Sequence, residues 1–313
     1  MTLPTINDVG AVDPVLTNML VGYMQADSRF IASRLFPSVP VNSDSGTYYI
    51  VTKKYFFRDQ LEVRAPGGNF RGIDGGVSTA TYATKQWAGQ IQIPDEVRAN
   101  SQLPMDLEQI EILRLAQASL IRKEVQFGSD FMTTGVWGTD NTTATDWDDY
   151  ASSDPVNDIL LAARTISNNT GTEANTMAMG LIVRDALLNH PDIIDRIKYT
   201  QAATADALDM ALSSVFGKNV LVAKATYTNT NEAVAFSATA IIDDDCLVCN
   251  VNPGAGIFGV TAGKTFAWAG GGGMGTMYRD PARFNHSDVA QHKEQWDQKV
   301  TASDVGYFLS DIV

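Results

Sequence analysis

One stretch governs what this chain can fold into: DLEQIEILRLAQASLIRKEVQFGSDFMTT, from Asp106 to Thr134. Leu107, Ile110, Leu113, Leu120 and Ile121 form one apolar row, and Ile112, Leu115 and Ala116 form a second. Spacings of three and four set each row along a helix face, which predicts an α-helix packed on more than one side. Pro104 precedes it, and Asp106 and Glu108 place negative charge at its positive N-terminal end. Gly128 weakens the later part without ending it, because Phe131 and Met132 extend the spacing. At 1.5 Å per residue the rod would be about 40 Å long. Arms and a hairpin precede it and a compact mixed α/β unit follows, the layout of a strut with appendages.

The 313 residues suffice for two domains or one elaborated domain, and 44% hydrophobic with 19% charged residues indicates a globular chain. No run of about 18 apolar residues exists, so no membrane span is expected. The start, MTLPTINDVGAVDP, lacks the basic and apolar regions of a signal peptide, so the protein is expected to stay in a cytosol. The sequons at Asn141, Asn168 and Asn285 are then chance matches. A net charge of −13 argues against tight wrapping of DNA, which needs clustered Lys and Arg. It suits a soluble protein that must not associate prematurely.

Residues 1–45 read as an arm, with a helix expected around Val15–Met24 and a turn at Phe30–Leu35 before Phe36-Pro37. Its apolar residues Phe30, Ile31, Leu35 and Phe36 need a partner surface, on this subunit or a neighbour. Residues 46–93 read as a long hairpin, strands Thr47–Phe57 and Ser78–Ile93 around a glycine-rich tip. Lys53, Lys54, Arg58, Arg64 and Arg71 against Asp59 and Glu62 give this segment a local balance of +3. It is either a solvated loop or a tip that reaches an acidic surface on a neighbouring copy. Gly138–Ala163 offers such a surface, with Asp140, Asp146, Asp148, Asp149, Asp154 and Asp158 and no base. Asp154-Pro155 then caps a helix stopped by Gly171. Strands are expected at Thr176–Val183, Asn219–Lys224 and Ile241–Val251, and helices at Arg184–Asn189 and Thr204–Phe216. Asp288–Val313 reads as two strands joined by a hairpin turn at Thr301–Gly306.

Motifs that could carry chemistry are sparse. Gly254, Gly256 and Gly259 match GxGxxG, but VTAGKTFAWAGGGG behind them has no helical spacing to present to a pyrophosphate. Gly263-Lys264-Thr265 is out of register for a phosphate loop. His286, Asp288 and His292 would share a strand face, yet the two histidines would lie about 20 Å apart, too far for one metal. Cys246 and Cys249 form a CxxC in an extended apolar run, where residues three apart face opposite ways, and Asp243, Asp244 and Asp245 would raise the thiol pKa. Two buried structural thiols are expected. A nucleotide-dependent enzyme using the 254–259 loop is the alternative of another class.

Taken in order, SRFIASRLFPSVPV with SGTYYIV, the helix ending RKEVQFGSDF, WDDYASSDPVNDILLAARTI with TMAMGLIV, ALLNHPDIIDRIKY, FGKNVLVAKATY and the closing DVGYFLSDIV resemble the major capsid proteins of tailed bacteriophages that share the HK97 fold. The resemblance implies an α+β fold: N-arm 1–45, E-loop hairpin 46–94, P-domain with a spine helix 95–150, A-domain 151–276 and a C-terminal return to the P-domain 277–313. It implies a structural subunit, not an enzyme, that self-assembles through pentamers and hexamers into an icosahedral head. Such a head forms in the host cytoplasm and, as a virion, encloses double-stranded DNA touched weakly on its inner face. Scaffolding, portal and decoration proteins are the implied partners, and no catalytic residue, cofactor or metal is expected. Contacts between subunits are expected at Lys53, Lys54, Arg58, Arg64 and Arg71, at Asp146, Asp148 and Asp149, and at Phe30 and Phe36. An encapsulin-type nanocompartment shell resembles the same fold and is the alternative. Some members crosslink through a lysine and an asparagine, and no motif here places that chemistry. The chain starts at the arm, so no scaffold segment ahead of it is expected.

Overall fold

The computed structural model describes residues 25–51, 53–73, 76–100, 107–142, 145–197, 205–230, 234–255, 259–271, 276–282 and 286–313. The helix expected at Val15–Met24 lies outside them. The first half runs α1 (Ala32–Leu35), β1 (Ser38–Val41), β2 (Ser45–Val51), α2 (Lys53–Phe56), β3 (Val77–Ala83), β4 (Lys85–Pro94), α3 (Asp95–Ala99) and α4 (Leu107–Phe131). The second half runs β5 (Thr139–Thr142), α5 (Pro155–Thr170), β6 (Thr176–Gly180), α6 (Leu181–Asn189), α7 (Pro191–Ile197), α8 (Ala205–Phe216), β7 (Asn219–Ala223), β8 (Thr226–Tyr227), β9 (Thr239–Ala240), β10 (Cys246–Cys249), β11 (Gly263–Trp268), β12 (Thr276–Ala282), β13 (Ser287–Val300) and β14 (Gly306–Ser310).

The helix read first from the sequence is α4, 25 residues and about 37 Å long, running unbroken through Gly128. Its C-terminus is capped from the loop beyond, where the Trp137 indole N–H donates to the carbonyl of Phe131 at 2.8 Å. One flank of α4 lies on a sheet ordered β1-β11-β13-β12, with β4 paired to β13. There Lys123 reaches Glu294 of β13 at 2.6 Å, a pair that is 9% and 1% exposed. Ser119 donates to the same carboxylate at 2.9 Å.

The other sheet is ordered β5-β14-β10-β6-β7 and is covered on both faces. Its central strands are therefore buried without interruption, as in CLVC of β10. Trp147, Ile159, Ile166, Leu187 and Leu212 fill one side. Ile31, Leu35, Phe36, Phe127 and Phe131 fill the other, so the arm and α4 share this second core. Local signals fix α5 on the first side. Asp154 accepts the N–H of Asn157 at 3.0 Å, Pro155 opens the helix, and Gly171 ends it at φ 64°, a left-handed position that favours glycine.

Four expectations are corrected by the pairing. The outgoing hairpin strand stops at Val51 and turns into α2 instead of running to Phe57. The return strand is two strands, split at Thr84, whose N–H donates to Asp44 at 2.8 Å: β3 pairs with β2, while β4 pairs with β13. The strand from Thr176 ends at Gly180, where a Cβ would lie 1.6 Å from the Asp243 carbonyl, and α6 begins at once. Residues 301–306 make no hairpin: a 3₁₀ turn at Ser303–Val305 carries the chain from β13 in one sheet to β14 in the other. Strand β11, from 151–276, joins the α4-side sheet, and β14, from 277–313, joins β10.

Ile159 is 1% exposed within the first core. Ile159→Ala is expected to cost about 2–5 kcal/mol in chemical denaturation, the range for a buried aliphatic truncation. A loss below about 1 kcal/mol would mean that α5 is not docked as described.

Candidate assembly surface

The arm meets the body through a buried carboxylate. The short α1 begins with backbone donors that have no partner within the helix. Glu124 of α4 supplies the acceptors: its two oxygens take the Ile31 N–H at 3.0 and 3.1 Å, and one takes the Ala32 N–H at 2.9 Å. Burial pushes the Glu124 carboxyl up, and the two backbone donors pull it back. Phe36 then enters a ring cage, with Phe127 edge-on at 5.1 Å and Phe131 and Trp137 at 4.7 and 6.4 Å. Downstream, β1 lies parallel to β11. Phe30 and Phe36, expected at contacts between subunits, are 4% and 1% exposed inside their own chain. Within the chain, α4 and β11 provide a surface for the arm's apolar residues.

The β2–β3 ribbon behaves differently. Its root is anchored where Phe266 of β11 meets Tyr82 in a stack at 4.6 Å and Tyr48 at 5.4 Å. Tyr48 also donates to the carbonyl of Val300, at 3.4 Å. Past this anchor the apolar side chains lie in solvent: Leu61 is 82% exposed, Val63 103% and Phe70 84%. Phe56, Ile73 and Val77 are exposed as well. Clustered exposed apolar groups mark an association surface, and burying each in full would contribute about 1.5–3 kcal/mol.

The basic residues of this segment are partly spent within the chain. Lys53 pairs with Asp304 at 2.7 Å, and Arg71 pairs with Glu62. Arg64 lies 4.3 Å over the Phe70 ring and donates to the Gly68 carbonyl at 3.0 Å. Arg58 is exposed, and the Lys54 side chain lies outside those described. Asp146, Asp148 and Asp149 are exposed on a loop pinned by Trp147, whose backbone N–H donates to Ile312 at 2.7 Å and whose indole N–H donates to Asp158 at 3.0 Å. Among the described residues, no ion pair joins the ribbon's bases to these three aspartates.

Folding assembles one group that sequence spacing could not reveal. Buried His190 lies with Nε2 at 3.2 Å from Ser153 Oγ and Nδ1 at 3.7 Å from the Asp192 carboxylate. The polarity is wrong for a nucleophile. Nδ1 accepts the Asp192 backbone N–H at 3.3 Å, so the ring proton sits on Nε2 and points at Ser153. Ser153 in turn donates to the Asp149 carbonyl at 2.8 Å. The chain of bonds holds the acidic loop and removes no proton from the serine.

The CxxC thiols sit as the strand period requires, Cys246 in one core and Cys249 in the other. Burial raises both, Cys249 to about 12, with Cys249 and Asp245 adding to the rise at Cys246. They are inert structural thiols. Residues 256–258 of the glycine motif are outside the described set, and the segment behind them at 263–268 is strand β11, not a helix. Among the described residues no group of three or more His, Cys, Asp or Glu is placed to hold a metal.

Two outcomes follow from these geometries. Glu124→Ala strips the acceptors from two buried N–H groups and is expected to cost about 3 kcal/mol, with faster proteolysis of residues 25–41. Glu124→Gln keeps one acceptor and should lose less. Equal resistance of the alanine variant and the parent would show that the carboxylate does not hold the arm. Separately, burial first and then the carboxylates of Asp244, Asp311 and Asp243 push Asp245 from 3.8 to about 6. The folded state therefore holds this proton more tightly, and stability falls as pH rises from about 4 through 6. Asp245→Asn, which still offers Oδ1 to the Asp311 N–H, is expected to raise Tm at pH 7.5 and to give little gain at pH 4. An equal shift at both would contradict this.

No family model matches the chain. A major capsid protein of Burkholderia phage BcepMu is 26% identical to it over 226 residues, 71% of each chain. The crystal structure of a phage-related protein from Bordetella bronchiseptica RB50 superposes with a TM-score of 0.69 at 21% identity, covering 92% of this chain and 93% of that one. The capsid structure of the cyanophage P-SCSP1u gives a TM-score of 0.61 at 13% identity over 98% and 94%. The chain therefore has the HK97-like α+β fold of phage capsid proteins, and a phage major capsid protein is its homologue.

Proposed function

We propose that this protein is the shell subunit of a phage head, assembling with copies of itself into an icosahedral capsid around double-stranded DNA. One observation carries the reading: a fold matched over nearly the whole chain to a phage capsid projects a ribbon whose apolar side chains have no cover of their own. In this reading residues 46–94 act as the E-loop, α4 is the spine helix of the P-domain, and the five-stranded unit around β10 is the A-domain that meets its counterparts in pentamers and hexamers. Its role is structural, and its place is the virion after assembly in the host cytoplasm.

The mechanism is mechanical. Each ribbon covers its apolar groups on an adjoining copy, and each copy makes several modest contacts. Closed symmetry then turns weak pairwise affinities into a stable cage. The net charge of −13 leaves packaged DNA loosely held on the inner face. Scaffolding, portal and decoration proteins are the further partners this role calls for.

Expression alone and with a candidate scaffold, followed by electron microscopy, tests the reading. Closed shells are expected, and nuclease-protected DNA in particles from infected cells. Monomers or small closed oligomers under every assembly condition would overturn it.

A further inference from the structure

We propose that Lys53 and Phe57 clasp the ribbon to its own subunit and thereby restrain its engagement of a second copy. The inference rests on the shell-subunit reading and adds a cis contact that competes with assembly. Lys53 Nζ lies 2.7 Å from Asp304, which sits in the turn Ser303–Val305. That turn is itself fixed, because Gly138 donates to the Ser303 carbonyl at 2.9 Å and Val305 is 1% exposed. Four residues after Lys53, the Phe57 ring lies against Gly171, 3.1 Å from where a Cβ would stand. Gly171 ends α5 at positive φ, so the seat for the ring is bare backbone.

Both contacts are shallow. Phe57 stays 60% exposed, and the side chains of Lys53 and Asp304 are 46% and 43% exposed. An exposed pair of this kind contributes little by itself, and salt screens it. Beyond Phe57 the side chains of Leu61, Val63 and Phe70 face solvent. The root is thus docked in cis, while these tip side chains are uncovered. Any path of the ribbon onto another copy that departs from this one gives up both contacts, and every copy in a shell bears that cost. A weak clasp fits such a role, because a strong one would prevent assembly.

The test measures the assembly threshold of full-length protein by light scattering and sedimentation, with hydrogen exchange of residues 45–57 read on the unassembled subunit. Lys53→Ala is expected to lower the threshold concentration about fivefold, the equivalent of one exposed ion pair, and to speed exchange at the ribbon root. The charge exchange Lys53→Asp with Asp304→Lys is expected to restore both values toward the parent's. An unchanged or raised threshold for Lys53→Ala, with the parent forming shells, would overturn the clasp. So would unaltered exchange at residues 45–57, which reads the contact even if no variant assembles. Failure of every protein to form shells, with exchange faster in Lys53→Ala, would instead count against the shell reading and leave the cis contact in place.

Discussion

A carboxylate taken out of water holds the first described segment of this chain to its longest helix. Glu124, 1% exposed, accepts from Ile31 and Ala32. Without those donors a charge at this depth would be costly. The pairing fixes where the arm crosses α4, and that crossing drops Phe36 into the cage of Phe127, Phe131 and Trp137. Phe36 in turn leads directly into β1, which extends the sheet through β11. One electrostatic contact thus sets the register between the arm, the rod and the core they share.

The rod is a shared wall. One flank meets β13 through Lys123 and Glu294, and another closes the core beneath β10 and β14. The core contacts come from Phe127, Phe131 and Met132 at the C-terminal end of the rod, while of the two apolar rows ahead of them Leu115 is buried and Leu113 is exposed. The chain passes between the two sheets at the turn Ser303–Val305, so neither sheet is a separately folded piece. Against this rigid frame the ribbon is the exception, tied at Tyr48, Tyr82 and Phe266 and shallowly at Lys53 and Phe57, with Leu61, Val63 and Phe70 in solvent. A frame that fixes the root of an uncovered apolar ribbon is suited to place it on another molecule.

Local chemistry was legible in the sequence where neighbours in the chain decide the outcome. The α4 periodicity, the Asp154 cap, the Gly171 stop and the opposite faces of Cys246 and Cys249 all depend on residues within a few positions. What was not legible depends on distant partners. Glu124 lies 93 residues from Ile31, and nothing near Phe30 or Phe36 announces that acceptor, so an arm with apolar residues looked equally ready for a neighbour. The split of the return strand at Thr84 follows from β13 competing for β4, a pairing about 200 residues away in sequence. The 301–306 segment carried a turn signal, but turn residues do not say whether the next strand rejoins the same sheet. His190, Ser153 and Asp192 were invisible as a group because α5 and β6 separate the first two along the chain.

The central claim is that the ribbon's apolar side chains find cover only on another copy, while the arm is covered at home. Side-chain oxidation footprinting of Leu61, Phe70 and Phe36, in isolated subunits and in assembled particles, addresses it most directly. The account predicts strong labelling of Leu61 and Phe70 in the subunit, its loss in the particle, and weak labelling of Phe36 in both. Protection of Leu61 and Phe70 in the lone subunit, or their continued labelling in closed particles, would contradict it.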